Sequence, residues 1–364
     1  MFETQTPVHS PEESARMLRR STQRETSAAL AVSLYAQLLC MSALRLLSVS
    51  STASWISLLL TLPAGIGIYF LSALTVRRQS VHDAERIGMR MILAAFALLF
   101  FTDMALCLFA MTELVCAYIL PDAPRWLIVA TTVLSVSLFM GGRAHGGAAR
   151  AAYLLRGFFL LAVIVCFFFA LPDGNVGFLY PLLGYGGGQT VRGAMYMTGG
   201  LWSVAALPYL AHEKGERIKR GLHTALHPLL GLLLLALILL AYAYLLPSPL
   251  LPGDWGFVLR LQLLMEMSPN TLAWSLMLIS RMLLFLTGFA AAGDFSRMLL
   301  CRAFKRRRVP LWPLTLAGAP LALAGVAQAE GLLKWVLPLR FPIALILSLA
   351  ALAQTFLRAP KEAA

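Results

Sequence analysis

Apolar residues run along this chain in long blocks, and polar residues are confined to short intervals between them. Several blocks reach the roughly 20 residues that a helix needs to cross a bilayer core. The pattern predicts ten membrane-spanning helices, at about 27–47, 54–76, 91–119, 126–141, 157–171, 190–211, 225–246, 271–293, 309–329 and 339–357. The fourth, fifth and tenth are the shortest or least sharply bounded.

Basic residues test that count, because cytoplasmic loops of membrane proteins collect Lys and Arg. With the N-terminus inside, the inner segments hold clusters such as Arg16, Arg19, Arg20 and Arg24, then Arg77, Arg78, Arg86 and Arg90. The largest inner cluster lies in CRAFKRRRVP, between Cys301 and Pro310. The outer segments hold only Arg125, Arg192, Arg260, Lys334 and Arg340. The expected fold is therefore all-α, ten spans with both ends cytoplasmic. Two sets of five place the second half upside down relative to the first, the inverted repeat from which many transporters are built. Repeat one is expected at about 27–171 and repeat two at about 190–357, between cytoplasmic tails at 1–26 and 358–364.

Composition agrees. The 364 residues are 59% hydrophobic and 13% charged, whereas a soluble globule carries about 25% charged residues. Mean hydropathy is +0.76. The net charge of +13 lies in loop clusters and forms no compact basic domain, so nucleic acid is not an expected partner; the basic loops are expected to meet anionic lipid. Residues 1–26 are polar, with no apolar core or small-residue cleavage site, so no signal peptide is expected there. The five cysteines form no C-x-x-C pair and read as small apolar side chains.

Helix breakers pick out the sixth span. Met197-Thr198-Gly199-Gly200 falls about halfway through it, followed by Trp202. A glycine pair there either unwinds the helix, so that backbone groups face a solute, or admits close helix packing; both readings stand on the residues alone. In an inverted repeat the first span is the other candidate for a break. It has no glycine or proline, and offers Ser33, Tyr35, Gln37 and Ser42 as polar groups. GYGGGQ lacks the last glycine of a dinucleotide loop, because Gln189 stands there.

Intramembrane charge is costly and marks candidate functional residues. Four such residues are Arg45, Asp103, Glu113 and Arg281. At about 1.5 Å per residue, Asp103 and Arg281 both reach mid-depth and are expected to pair. Arg45 and Glu113 are expected to pair near the outer boundary. The first pair reads as a fixed ion pair, as a solute contact with Arg281 meeting a carboxylate, or as a gate. His223 and His227 are one turn apart, with no third ligand near them in sequence, so no metal or cofactor is expected. No H-E-x-x-H, G-x-S-x-G, Walker motif or carboxylate cluster supports an enzyme.

Short motifs then line up in order. TASWISLLLTLPAG, with Trp55, Ile56 and Ser57, opens the second span. MTELVCAYILPDAP, with Glu113, Leu120, Pro121 and Pro124, closes the third. GRAHGGAARAAYLL, with Gly142 and Arg150, follows the fourth. FLYPLLGYGGGQTVRGAM, with Pro181, Leu182 and Gly184, leads into the sixth, and Pro208-Tyr209-Leu210 leaves it. In these segments the chain resembles the B subunit of bacterial spore germinant receptors (the GerAB type), within the amino acid/polyamine/organocation transporter superfamily. It departs from that family in Ser54, where an aspartate is usual nearby, and in the first span, which lacks the usual glycine. The resemblance implies a leucine-transporter-like fold in the spore inner membrane or the cell membrane, and A and C subunits as partners. It implies sensing of a small-molecule nutrient such as an amino acid, with an amino acid permease as the alternative. The substrate-binding residues expected are Tyr35, Gln37, Asp103, Thr198, Gly199, Gly200, Trp202 and Arg281.

Overall fold

The computed structural model describes residues 11–78, 87–140, 147–211, 222–245, 257–263, 271–305, 316, 318–324 and 326–356. Every regular element among them is helical. The chain begins with α1 (Pro11–Met41), which runs through a π turn at Ser42–Leu46 into α2 (Leu47–Ser50). A 3-10 turn at Ser51–Ala53 leads to α3 (Ser54–Leu59) and α4 (Leu62–Arg78). Then come α5 (Ile87–Tyr118), α6 (Arg125–Met140) and α7 (Gly147–Ala170). The expected sixth span is α8 (Gly187–Thr198), a 3-10 turn at Gly199–Leu201, and α9 (Trp202–Ala211). The remainder is α10 (Leu222–Leu245), α11 (Phe257–Leu263), α12 (Thr271–Ala303), α13 (Ala319–Leu323) and α14 (Val326–Phe356).

Six of these helices, among the described residues, are long and apolar enough to cross a membrane, and α6 is a shorter apolar helix. The chain is an integral, multi-pass membrane protein. Their boundaries follow local chemistry. α5 ends just before Pro121, and α6 starts directly after Pro124, as expected where proline cannot supply a helix hydrogen bond. α4 carries Pro63 in its first turn, where the missing N–H is harmless.

Burial sorts the helices into an inner and an outer set. α1 packs against α5, α7, α9, α10 and α12, and its apolar stretch is almost wholly enclosed. α5 and α12 lie against each other along much of their length. In contrast α7 and α14 turn rows of large apolar side chains outward, including Leu154, Leu161, Phe168, Trp335 and Ile346. In a bilayer such faces meet lipid rather than water.

Three expectations change. α1 begins at Pro11, well before the boundary expected at 27, so part of the expected tail is helical. Of the span expected at 309–329, residues 309–315, 317 and 325 lie outside the described residues; its described part holds α13 and the first residues of α14. The span expected at 339–357 is longer: α14 starts at Val326 and passes unbroken through Pro338 and Pro342. Lys334 and Arg340, read as outer-loop residues, are therefore helical. Prolines are tolerated in membrane helices because neighbouring groups re-satisfy the freed carbonyls.

Candidate functional site

The helices are irregular at two places, where α1 runs into α2 and where α8 runs into α9. At the first the irregularity is a widened turn, not an unwound stretch. Such π turns leave carbonyls without regular helical partners. Here Arg260 of α11 reaches across, and its Nη1 donates to the carbonyls of Ala43 (3.1 Å) and Leu44 (2.8 Å). The chain then turns sharply at Ser51, a non-glycine residue with φ of 48°.

Between α8 and α9 the glycine pair tightens the helix into a 3-10 turn. Both glycines are enclosed. A Cβ on Gly199 would run into the Leu337 carbonyl and come within 2.9 Å of Pro338 Cα, both backbone of α14. A Cβ on Gly200 would meet Leu38 Cδ2 of α1 at 2.6 Å. The glycines thus let α14 and α1 approach this turn from two sides. Thr198, partly buried, donates to the Met195 carbonyl of its own helix at 2.6 Å.

Beside this turn lies a buried polar network. Asp103 of α5 accepts from Gln37 of α1 at Oδ2 (2.6 Å) and from the Trp202 indole of α9 at Oδ1 (3.4 Å). Its ionic partner is Arg340 of α14, whose Nη1 donates to Oδ1. Arg340 also donates to Thr102 Oγ1 (3.2 Å), and its Nη2 lies 3.5 Å from Met41 Sδ. Gln37 donates further to Ser33 Oγ at 3.2 Å. Phe96 and Phe100 of α5 pack on the Trp202 ring, with centroids 6.5 and 4.6 Å away. Water is excluded, because Gln37, Asp103, Trp202 and Arg340 are all at most 1% exposed.

Arg281 of α12 is separate from that pair. Its Nη1 donates to the Tyr35 hydroxyl, and its guanidinium lies 5.2 Å from the centroid of the same ring. The expected Asp103–Arg281 pair is corrected: Asp103 takes Arg340. The error came from reading Arg340 as part of a loop. The signal that could have found it is the run WVLPLRFPIALIL, apolar on both sides of a single arginine.

The outer pair is corrected as well. Glu113 binds Arg125, with Oε1 at 2.8 Å from Nη1 and Oε2 at 3.1 Å from Nη2. Arg125 also donates to the Ala324 carbonyl at 3.1 Å, tying α5 and α6 to the turn after α13. Arg45 stands on the π turn, exposed, with its guanidinium 5.7 Å from the Tyr196 ring centroid. Helical geometry explains the outcome: a residue just past the α5–α6 turn is brought back beside the end of α5.

Two motif segments come together. Thr52 donates to the Pro181 carbonyl (2.9 Å), and Ser57 donates to the Thr190 carbonyl (2.9 Å) and to Ser50 Oγ (2.9 Å). Gly184 adopts φ of 55°, and a Cβ there would collide with the Ser50 carbonyl. The loop before α8 is thereby sealed onto the start of α3.

Compared with protein-family profiles and with curated protein sequences, the chain matches none. Among solved structures it is similar to two mutants of the manganese transporter of Eremococcus coleocola. Both are 15% identical, with TM-scores of 0.48 and 0.46, and each match covers 97% of this chain and 81% of that chain. A complex of that transporter with an aromatic bis-isothiourea substituted compound gives a TM-score of 0.40 at 14% identity, with the same coverage.

Proposed function

We propose that this chain is the solute-binding membrane subunit of a nutrient receptor of the spore-germinant type, taking a small molecule such as an amino acid. The observation that carries the reading is the buried network of Gln37, Asp103, Trp202 and Arg340, set between the last turns of α1 and the Gly199–Leu201 turn that joins α8 to α9. Buried charge inside a membrane protein is costly and is a functional candidate by default. A π turn and a 3-10 turn are where two helices are most easily rearranged. A solute that prefers one arrangement shifts the population toward it by its difference in affinity for the two states. The ordered series of motifs, and the contact between two of them at Thr52–Pro181 and Ser57–Thr190, supports the receptor family over other membrane proteins.

On this reading the chain lies in the spore inner membrane with both ends cytoplasmic. It works beside A and C subunits, which turn its change of state into germination. Its ten spans form the five-plus-five inverted repeat.

The same geometry serves a secondary amino acid permease, in which the rearrangement alternates access. Two measurements separate the readings. A thermal-shift screen of the purified chain against amino acids, nucleosides and sugars is expected to show stabilisation by one class, since a ligand that binds only the folded state raises its stability. Uptake of that solute by proteoliposomes holding this chain alone would overturn the receptor reading in favour of the permease. The absence of a shift with every solute would remove the binding site from both.

A further inference from the structure

Arg281 is fully buried, and most of its hydrogen-bonding capacity is unused. One nitrogen, Nη1, serves Tyr35. Nε and Nη2 are buried with no acceptor among the described residues. These two nitrogens form one edge of the guanidinium, the edge that meets a carboxylate with two parallel hydrogen bonds. The carboxylates with ion pairs among the described residues are engaged elsewhere: Asp103 by Arg340, Glu113 by Arg125, Glu25 by Arg150 and Glu330 by Lys334. Ser280, next to Arg281 in the chain, also has a buried hydroxyl without a partner among the described residues.

Charge completes the argument. A guanidinium stays ionised, and a buried ion without a counter-ion is strongly unfavourable. Asp103 balances Arg340, and the positive charge of Arg281 remains. Asp103 accepts three hydrogen bonds and its charge is met by Arg340, so no net negative charge is left there for a ligand ammonium or a metal ion. No group of three or more His, Cys, Asp or Glu side chains among the described residues could hold a metal.

We propose that the Nε–Nη2 edge of Arg281, with Tyr35 holding the opposite side of the guanidinium, binds the carboxylate of a small organic anion, and that the site selects against divalent cations. This rests on the solute-binding reading above and narrows it to ligands with a free acid group. Bound carboxylate neutralises the buried charge, so occupancy and stability are coupled.

The test is a thermal-shift titration of the full purified chain with four probes: simple carboxylates such as pyruvate, amino acids, the amides of the same amino acids, and manganese(II). Carboxylates or amino acids are expected to raise the melting temperature, and amides and manganese are not. A response to simple carboxylates points to a plain anion; a response confined to amino acids points to a zwitterion. Arg281→Met is expected to abolish the shift while leaving the unliganded melting temperature unchanged or higher, since it removes an uncompensated charge. Arg281→Lys keeps the charge but loses the fork, and is expected to weaken binding by about tenfold or more. If amides or manganese stabilise the wild type as well as carboxylates do, or Arg281→Lys binds undiminished, the anion assignment is wrong and the solute-binding reading survives. If no probe in this set or in the wider screen acts, both fall. A large drop in unliganded melting temperature for both Arg281 variants would assign the residue a structural role.

Discussion

Arg340 on α14 closes on Asp103 of α5 across 237 residues of sequence, and both side chains are sealed from solvent. The pair holds α14 to the inner helices at the level of the Gly199–Leu201 turn. It also orients Asp103 toward Gln37 and Trp202.

Breaking that pair from one side leaves the other charge buried alone. Asp103→Asn or Arg340→Gln is expected to cost about 3–5 kcal/mol, seen as loss of monodisperse protein in detergent or a large fall in melting temperature. The double variant, with no ion left, is expected to recover part of that loss. A double variant no better than the sum of the singles would show that the two residues do not act as a pair.

Gly199→Ala puts a methyl group against backbone atoms of Leu337 and Pro338, which cannot rotate away. Overpacking of this kind costs about 1–3 kcal/mol. Gly67→Ala is the control: its Cβ meets nothing, and its site on α4 is exposed. That change is expected to be neutral or slightly stabilising. Equal melting temperatures for the two variants would mean that α14 does not press on the turn.

Arg260→Met withdraws the donor from the Ala43 and Leu44 carbonyls. A buried acceptor left without a partner costs about 1–3 kcal/mol. Hydrogen exchange should accelerate in residues 42–50 with little change in α5. Unaltered exchange there would show that the π turn stands without Arg260.

The choice of Arg125 over Arg45 as partner of Glu113 is open to a direct comparison. Arg125→Gln strands a nearly buried carboxylate and is expected to lower the melting temperature clearly. Exchange of the two charges, Glu113→Arg with Arg125→Glu, should restore part of the loss. Arg45→Gln removes only an exposed contact with an aromatic ring, of at most about 1 kcal/mol. A greater loss from Arg45→Gln than from Arg125→Gln would reverse the assignment.

Hydropathy alone placed most of the long helices, because a bilayer demands apolar runs of fixed minimum length and every backbone group satisfied within them. α5 and α12 were expected near their observed positions, and the sixth span was expected to be irregular at Gly199-Gly200. Asp103, Gln37, Tyr35 and Arg281 were singled out as polar groups in apolar surroundings and Trp202 as the neighbour of the glycine pair, and the structure makes each a member of a buried contact. What one-dimensional pattern could not supply was the partner of each charge. Proline and lysine near Arg340 resemble a loop in the sequence, whereas in the fold the neighbours of α14 absorb the prolines and carry the arginine into the interior. Whether the glycine pair opened a helix or let two helices close on it depended on Leu337 and Leu38, far away in the chain. Apolar burial is a property of a residue and its near neighbours, so sequence determines it. Ion pairing and close packing are properties of two surfaces, and only the tertiary structure decided which surfaces met.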